Sequence, residues 1–384
     1  MSAFEKTKTQ VANTSTKQKL FEGKDLVLMM VSGGSDSVAM AYLLSDMAKE
    51  GTIGSLAMLH VNHKLRGQDA DADAEFCASL AKNLNIPFYL REIDVAKIAS
   101  SNKANIEACA RKVRFGAAKE LMEKLCKGSS ATGAIAVAHT LNDRMETFYM
   151  RSIVGTGPGG FGSLRYANTT SYGRIVRPLL DVTRDELRAY LFERQSLCGD
   201  TVSDCNGNLW REDVTNADTA YLRAFVREKM VPLAQSKNAS LSDTLRRTMN
   251  LIAEEDDMLE SEADKLSASF VKRLSETDSQ EGILLMPELG LVQTPLLRRV
   301  VFNELSSLYE SLYGPDGRIE EASVSAVMDA WDKDLYESDS SLKASAYVKK
   351  GYVVNIQGDL AVSANSKGVR IEPMSTFRQR RKKD

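Results

Sequence analysis

The run Ser32-Gly33-Gly34-Ser35-Asp36-Ser37 halts an apolar stretch at two glycines and follows them with hydroxyls and a carboxylate. Glycines let backbone N–H groups approach an anion closely and adopt positive φ. At a strand-to-helix junction, the unpaired N–H groups of the helix's first turn and its dipole add to the attraction. Asp36 is the misfit, because its charge repels phosphate. A Mg²⁺ ion bridging carboxylate and phosphate resolves the conflict. Ser32, Gly33, Gly34, Ser35, Asp36 and Ser37 are therefore read as a loop for nucleotide phosphates, with Asp36 as metal ligand. No lysine follows the glycines, so the loop is not a Walker A motif.

Three more groups could do chemistry. His60, Asn62 and His63 close a second apolar run. Two histidines three apart could suggest zinc, but no cysteine or carboxylate stands at metal spacing, so contact with substrate is the better reading. Glu107, Arg111 and Arg114 share one helix face. They form either a salt-bridge ladder or a cationic pair for phosphates or RNA. Asp143 and Glu146, one helical turn apart just after His139, need a cation. That cation could be Mg²⁺, a substrate ammonium or an arginine, with Arg144 or Arg151 as the partner in a merely structural pair. Gly155-Thr156-Gly157-Pro158-Gly159-Gly160 formally fits G-x-G-x-x-G, but it follows a helical pattern and contains proline, so it reads as a loop and not a dinucleotide fingerprint.

The elements that must position these residues alternate in period. Residues 25–31, 55–61, 87–93 and 134–139 read as strands, and 35–49, 69–83, 104–126 and 141–154 as helices. A further strand and helix are read at 174–180 and 183–192. Alternation of this kind predicts an α/β fold, a doubly wound parallel sheet with helices on both faces and ligands beyond the carboxyl ends of its strands. Downstream, 238–266 and 283–336 read as helical and 344–362 as β-like. The organisation expected is a flexible segment (1–22), a catalytic domain (23–235), a helical linker (236–275), an accessory domain (276–377) and a disordered basic tail (378–384).

With 384 residues and 43% hydrophobic residues the chain can build more than one core. A net charge of −2 excludes a global positive field, so RNA must be met by local basic patches. The five cysteines form no C-x-x-C, which suits a reducing cytosol and argues against a zinc or iron–sulfur site of that type. The first twenty residues lack the apolar core of a secretory signal and the arginines of a transit peptide. No run approaches the ~18 apolar residues of a membrane span. The protein is expected in the cytoplasm.

The strand–SGGxDS–helix context resembles the PP-loop of the ATP pyrophosphatases, which cleave ATP to AMP and pyrophosphate. Six further segments resemble, in order, motifs of the tRNA(Ile)-lysidine synthases: His60–Arg66 the HVNHxLR motif, Glu107–Phe115 E-x-x-A-R-x-x-R-[FY], Ala138–Thr147 AHHxxDDxxET, and Arg177–Leu180 with Arg211–Asn216 and Arg223–Arg227 the series RPLL, DxSN and RNxxR. The likeness covers roughly residues 24 to 235. Thr140, Asn142, Val154 and Ala224 depart from it.

The resemblance implies a carbon–nitrogen ligase that uses ATP and Mg²⁺ to join L-lysine to the wobble cytidine of tRNA(Ile) with a CAU anticodon. It implies Asp36, Asp143, Glu146, Arg111 and Arg114 as catalytic residues, with the acidic pair holding the lysine. Ser32 to Ser37, His60, Asn62, His63 and His139 would meet the nucleotide, and the accessory domain the tRNA. Two other readings stand beside it, a PP-loop tRNA thiolase and a nucleotide- or tRNA-binding protein without catalysis. Assembly, as monomer or homodimer, is left open.

Overall fold

Strand β1 (Leu26–Met30) is apolar throughout because both of its faces are covered. Val27 and Met29 enter one core, Leu28 and Met30 the other. The same alternation divides Met58 from Ala57 and Leu59 on β2 (Leu56–Asn62), and Ala134 and Ala136 from Ile135 on β4 (Gly133–Ala136). Continuous apolar strands of this kind belong to parallel sheets buried on both sides. With β3 (Phe88–Glu92), β5 (Ala167–Thr170) and β6 (Gly173–Val176) they form one sheet in the order β3-β2-β1-β4-β6-β5. Every pairing is parallel except β5 with β6. β1 lies between β2 and β4, so the strand order reverses beside it, and the crevice at such a switch point is where ligands bind.

The computed structural model describes residues 1–21, 25–65, 67–102, 105–127, 133–212, 222–274, 282–314 and 319–382. They divide into two units, Met1–Ala253 and Glu254–Asp384. In the first unit, α1 (Ala3–Lys17), α2 (Ser35–Lys49), α3 (Gln68–Leu84) and α7 (Arg184–Cys198) share one core with the sheet. α5 (Ile106–Cys126) covers the other face through Phe115, Ala118 and Leu121. α4 (Val95–Asn102) packs on α5. α6 (Leu141–Val154) follows β4, and its Leu141 and Met145 share a smaller core with Val226, Val231 and Met249. Those three come from the π-helical turn Val226–Met230, α9 (Val231–Lys237) and α10 (Leu241–Phe270). The turn continues directly from α8 (Leu222–Phe225).

Two expectations for this unit are corrected. The start of the chain is not a loose segment: Ser2 caps α1 by accepting from the Glu5 N–H, and Val11 and Leu20 are fully buried. Phe4 stacks on Tyr190 at 5.3 Å, and Lys6 pairs with Glu186. The polar composition hid this because only one stripe of α1 meets the core. The strand expected over 174–180 stops at Val176 and is half of a hairpin with β5, whose ANTT sequence carries no apolar alternation.

The second unit is built on an antiparallel sheet in the order β7-β8-β11-β10-β9, from β7 (Val271–Leu274), β8 (Gly282–Leu285), β9 (Val353–Ile356), β10 (Leu360–Asn365) and β11 (Gly368–Pro373). α11 (Thr294–Tyr313) and α12 (Glu321–Met328) share its core, and α13 (Lys333–Ser338) follows the buried Trp331. β8 falls where a helix was expected, since its three apolar residues carry no readable period. The tail expected to be disordered holds α14 (Met374–Arg381), where Phe377 is buried and Arg380 pairs with Glu372 at 2.6 Å. Residues 383–384 lie outside the described residues. Among the described residues no helix is long and apolar enough to cross a membrane.

Candidate active site

The loop after β1 closes on itself before it meets anything else. Ser37 Oγ donates to the Gly34 carbonyl at 2.9 Å and accepts from the Ser32 N–H at 3.2 Å. Gly33 sits at φ +92°, a conformation that side chains disfavour. Its carbonyl accepts from the backbone N–H of Arg211 at 2.9 Å. Gly34 precedes the first turn of α2, whose N–H groups have no partner in their own helix. Below the loop, His60 is buried with Nδ1 at 2.8 Å from the Val31 carbonyl, which fixes the proton on Nδ1. Asn62, also buried, donates to Asp71 and accepts from the Lys64 N–H. These two therefore hold strand end and loop in shape.

Asp36 projects from the first turn of α2 with 22% of its side chain exposed. Burial raises its pKa, and the nearby Asp143 charge adds to the rise against the pull of Arg184. Asp143 and Glu146 come from the first two turns of α6, and both are buried. Asp143 caps its own helix, accepting from the Thr140 N–H at 2.8 Å and hydroxyl at 2.9 Å through Oδ2. Thr140, a departure from the lysidine synthase motif, thus has a local task.

These carboxylates are met by arginines, but neither by Arg144 nor by Arg151. Arg144 turns away to Tyr166 and Asn250, and Arg151 to the Gly160 and Ser163 carbonyls. The partners are Arg184, Arg223 and Arg227. Arg184 gives each guanidinium nitrogen to a different carboxylate: Nε to Asp36 at 3.2 Å, Nη2 to Asp143 at 2.8 Å and Nη1 to Glu146 at 3.2 Å. Arg223 reaches both acids of α6, and Arg227 chelates Glu146 at 2.8 and 3.1 Å. Burial alone would raise the pKa of Asp143 and Glu146, but the surrounding arginines outweigh it and hold both below the usual carboxylate range. Arg184 escaped sequence reading. Its one signal was position, directly after a Thr183 cap that begins the helix following the last parallel strand.

On the other side of the crevice, among the described residues, no carboxylate pairs with Arg114 or Arg177. His139 accepts from Arg177 Nε at 3.2 Å, and burial, with Arg177 and Arg114 opposing the aid of Asp143, lowers its pKa to about 4. His63 is likewise lowered to about 4, by burial and then by the Arg114 charge. Arg114 is itself shifted down by burial and by Arg111, and Arg177 to about 10 by the same two causes. Among the described residues, His63 Nδ1 and Arg114 Nε are buried without a hydrogen-bond partner. A group of guanidiniums and neutral imidazoles with unsatisfied donors suits an anionic, hydrogen-bonding ligand. Arg66, the side chain of Glu107 and residues 213–216 lie outside the described residues.

A glycine–serine loop after the first strand of a doubly wound sheet, at the reversal of strand order, defines a nucleotide-binding α/β protein. The sequence matches the PP-loop domain family over residues 4–234, and the chain belongs to that family. It is 30% identical over 332 residues to the tRNA(Ile)-lysidine synthase of Dehalococcoides mccartyi, covering 84% of this chain and 64% of that protein. The enzyme of the same name from Porphyromonas gingivalis is 35% identical over 240 residues, covering 62% and 47%. That from Thermus thermophilus is 35% identical over 241 residues, covering 63% and 42%. The chain thus spans between 42% and 64% of the length of these relatives. Among solved structures, the U34-tRNA thiolase NcsA of Methanococcus maripaludis superposes with a TM-score of 0.50 at 18% identity, covering 66% of this chain and 80% of that one, a likeness of fold alone.

Proposed function

We propose that the protein is a tRNA(Ile)-lysidine synthase, or the catalytic part of one. It would use ATP to activate the C2 oxygen of the wobble cytidine and then replace that oxygen with the ε-nitrogen of L-lysine. The observation that carries this reading is the meeting, in one crevice, of a phosphate-type loop with a buried acidic pair. The names of its relatives point the same way.

The chemistry requires both halves. The cytosine C2 oxygen is a poor leaving group. Its attack on the α-phosphorus of ATP forms an oxygen–phosphorus bond and expels pyrophosphate. Attack of the amine at C2 then expels AMP, which carries that oxygen away. The loop N–H groups of α2, with Arg111 and Arg114, would neutralise phosphate charge where it develops. His63 and His139 stay neutral near pH 7 and can donate or accept hydrogen bonds without adding charge. Lysine arrives as an ammonium with a pKa near ~10.4 and must lose a proton before attack. Asp143 and Glu146, kept ionised by their arginines, would hold and orient it.

Asp36 fits a magnesium site of the kind completed by substrate phosphates, since it offers one partly exposed carboxylate at the mouth of the loop. Bound there, Mg²⁺ would neutralise phosphate charge. The accessory unit and the basic rim of the crevice would hold the tRNA, whose single-stranded anticodon loop makes exposure of the target base cheap. Release of AMP that depends on both lysine and tRNA(Ile) tests the reading. Release of AMP coupled to sulfur incorporation would favour a thiolase, and nucleotide binding without AMP a non-catalytic role.

A further inference from the structure

We infer that Arg184 couples the nucleotide and amine halves of the crevice, holding the carboxylates of both and yielding them to the cations that arrive with the substrates. The inference rests on the function proposed above. Its basis is a division of labour among arginines. Among the described residues, Arg223 and Arg227 pair with the acids of α6 alone. Arg184 alone among the three also reaches the phosphate loop, through Asp36.

The side chain is anchored at its base and committed at its tip. Its backbone N–H, at the start of α7, donates to Asn142 Oδ1 at 3.0 Å. Its three nitrogens are spread over three carboxylates, with 23% of the side chain exposed. A cavity of about 190 Å³ opens beside it, lined by Asn142, Glu146, Arg227, Val231 and Gln235 as well as Arg184. An amine entering there competes with Arg184 and Arg227 for Glu146 Oε1. A nucleotide at the loop, with a divalent cation held by Asp36, would take the Nε partner from Arg184 and free its guanidinium to move. Either movement frees oxygens of the acidic pair. Nucleotide binding should therefore strengthen amine binding, and linkage requires the reverse by the same factor.

Arg223 and Arg227 keep the acidic pair compensated when Arg184 leaves. The pair is thus a cation site that a fixed arginine occupies in part, not one that must be stripped bare. Asn142, where the lysidine synthase motif has aspartate, also gains a role here, since it accepts from the backbone that carries Arg184.

The test is isothermal titration of the full chain with L-lysine, with and without α,β-methylene-ATP and Mg²⁺. The wild-type protein should bind lysine at least about fivefold more tightly with the nucleotide analogue present, a typical coupling strength. In Arg184→Gln the ratio should fall to within about twofold of one, with lysine alone binding more tightly than to wild type. Arg184→Lys, which keeps the charge but cannot span three carboxylates, should lose the coupling too, and melting curves check that both variants fold. A coupling ratio kept in both variants, or no coupling in a wild type that binds both ligands, overturns the role of Arg184 and leaves the proposed function standing. A wild type that binds neither ligand overturns the proposed function and this inference with it.

Discussion

The backbone N–H of Arg211 donates to the carbonyl of Gly33 at 2.9 Å, so a residue far along the chain closes the phosphate loop from outside. Its guanidinium is tied to Asp73 at 2.8 Å and Asp204 at 3.5 Å, and its Cγ would lie 3.5 Å from a Cβ placed on Gly33. Arg211→Ala takes one ion pair from the buried Asp73 carboxylate, costing about 2 kcal/mol, and loosens the loop. We expect the KM for ATP to rise about tenfold with a smaller change in the KM for lysine. Gly33→Ala should have the same signature, because φ +92° costs a residue with a Cβ about 1–2 kcal/mol. Steady-state kinetics with each substrate varied in turn would check both.

Asp36→Asn should leave the fold intact. Burial already disfavours the charge on Asp36, so its removal costs little stability. Lysine incorporation should fall by about 100-fold or more, as expected when a group that organises phosphate charge is lost. Near-normal turnover of the folded variant would contradict the metal-bridging role.

Glu146→Gln should weaken lysine use more than ATP use. Glu146 bonds Arg184, Arg223 and Arg227, so part of the loss will appear as stability, about 3 kcal/mol for breaking a buried pair. The diagnostic quantity is the ratio of the two KM values, which instability alone does not move. An unchanged lysine KM would remove Glu146 from the amine site.

The histidines predict the acid limb of stability. The sequence has three, His60, His63 and His139, so their NMR signals can be assigned by single substitution. His63 and His139 are held at about 4, below their ordinary value. The unfolded chain, near ~6.5 for a free histidine, therefore takes up protons first as pH falls. Stability is full above that value and declines progressively toward pH 4. The depressed carboxylates Asp143 and Glu146 add a second loss at lower pH, as they are protonated in the folded state. Titration of the imidazole protons should show two of the three rings ionising near pH 4. Two rings titrating near ~6.5 would contradict the buried, cation-flanked geometry.

Much of the first unit was legible because its central strands β1, β2 and β4 are buried on both faces and its helices on one, giving two distinct periods. The strand–loop–helix setting of Ser32 to Ser37 was legible for the same reason, since the elements on either side fix its context. What escaped reading depends on long-range pairing. Arg184 looks like any helix-starting arginine until the sheet brings α7 beside α2 and α6. The helix α1 looks like a polar tail until Phe4 and Val11 meet the core of α2 and α7. His60 and Asn62 read as ligand contacts, yet both spend polar atoms on the protein, a distinction that burial makes and spacing does not.

The most direct measurement is to incubate the purified protein with ATP, Mg²⁺, isotopically labelled L-lysine and tRNA(Ile) bearing a CAU anticodon, then digest the tRNA and examine its nucleosides by mass spectrometry. The account predicts a labelled cytidine–lysine adduct at the wobble position, one AMP released per adduct, and neither product without lysine. Unmodified cytidine in the presence of a folded, ATP-binding protein, or sulfur in place of lysine at that nucleoside, would contradict it.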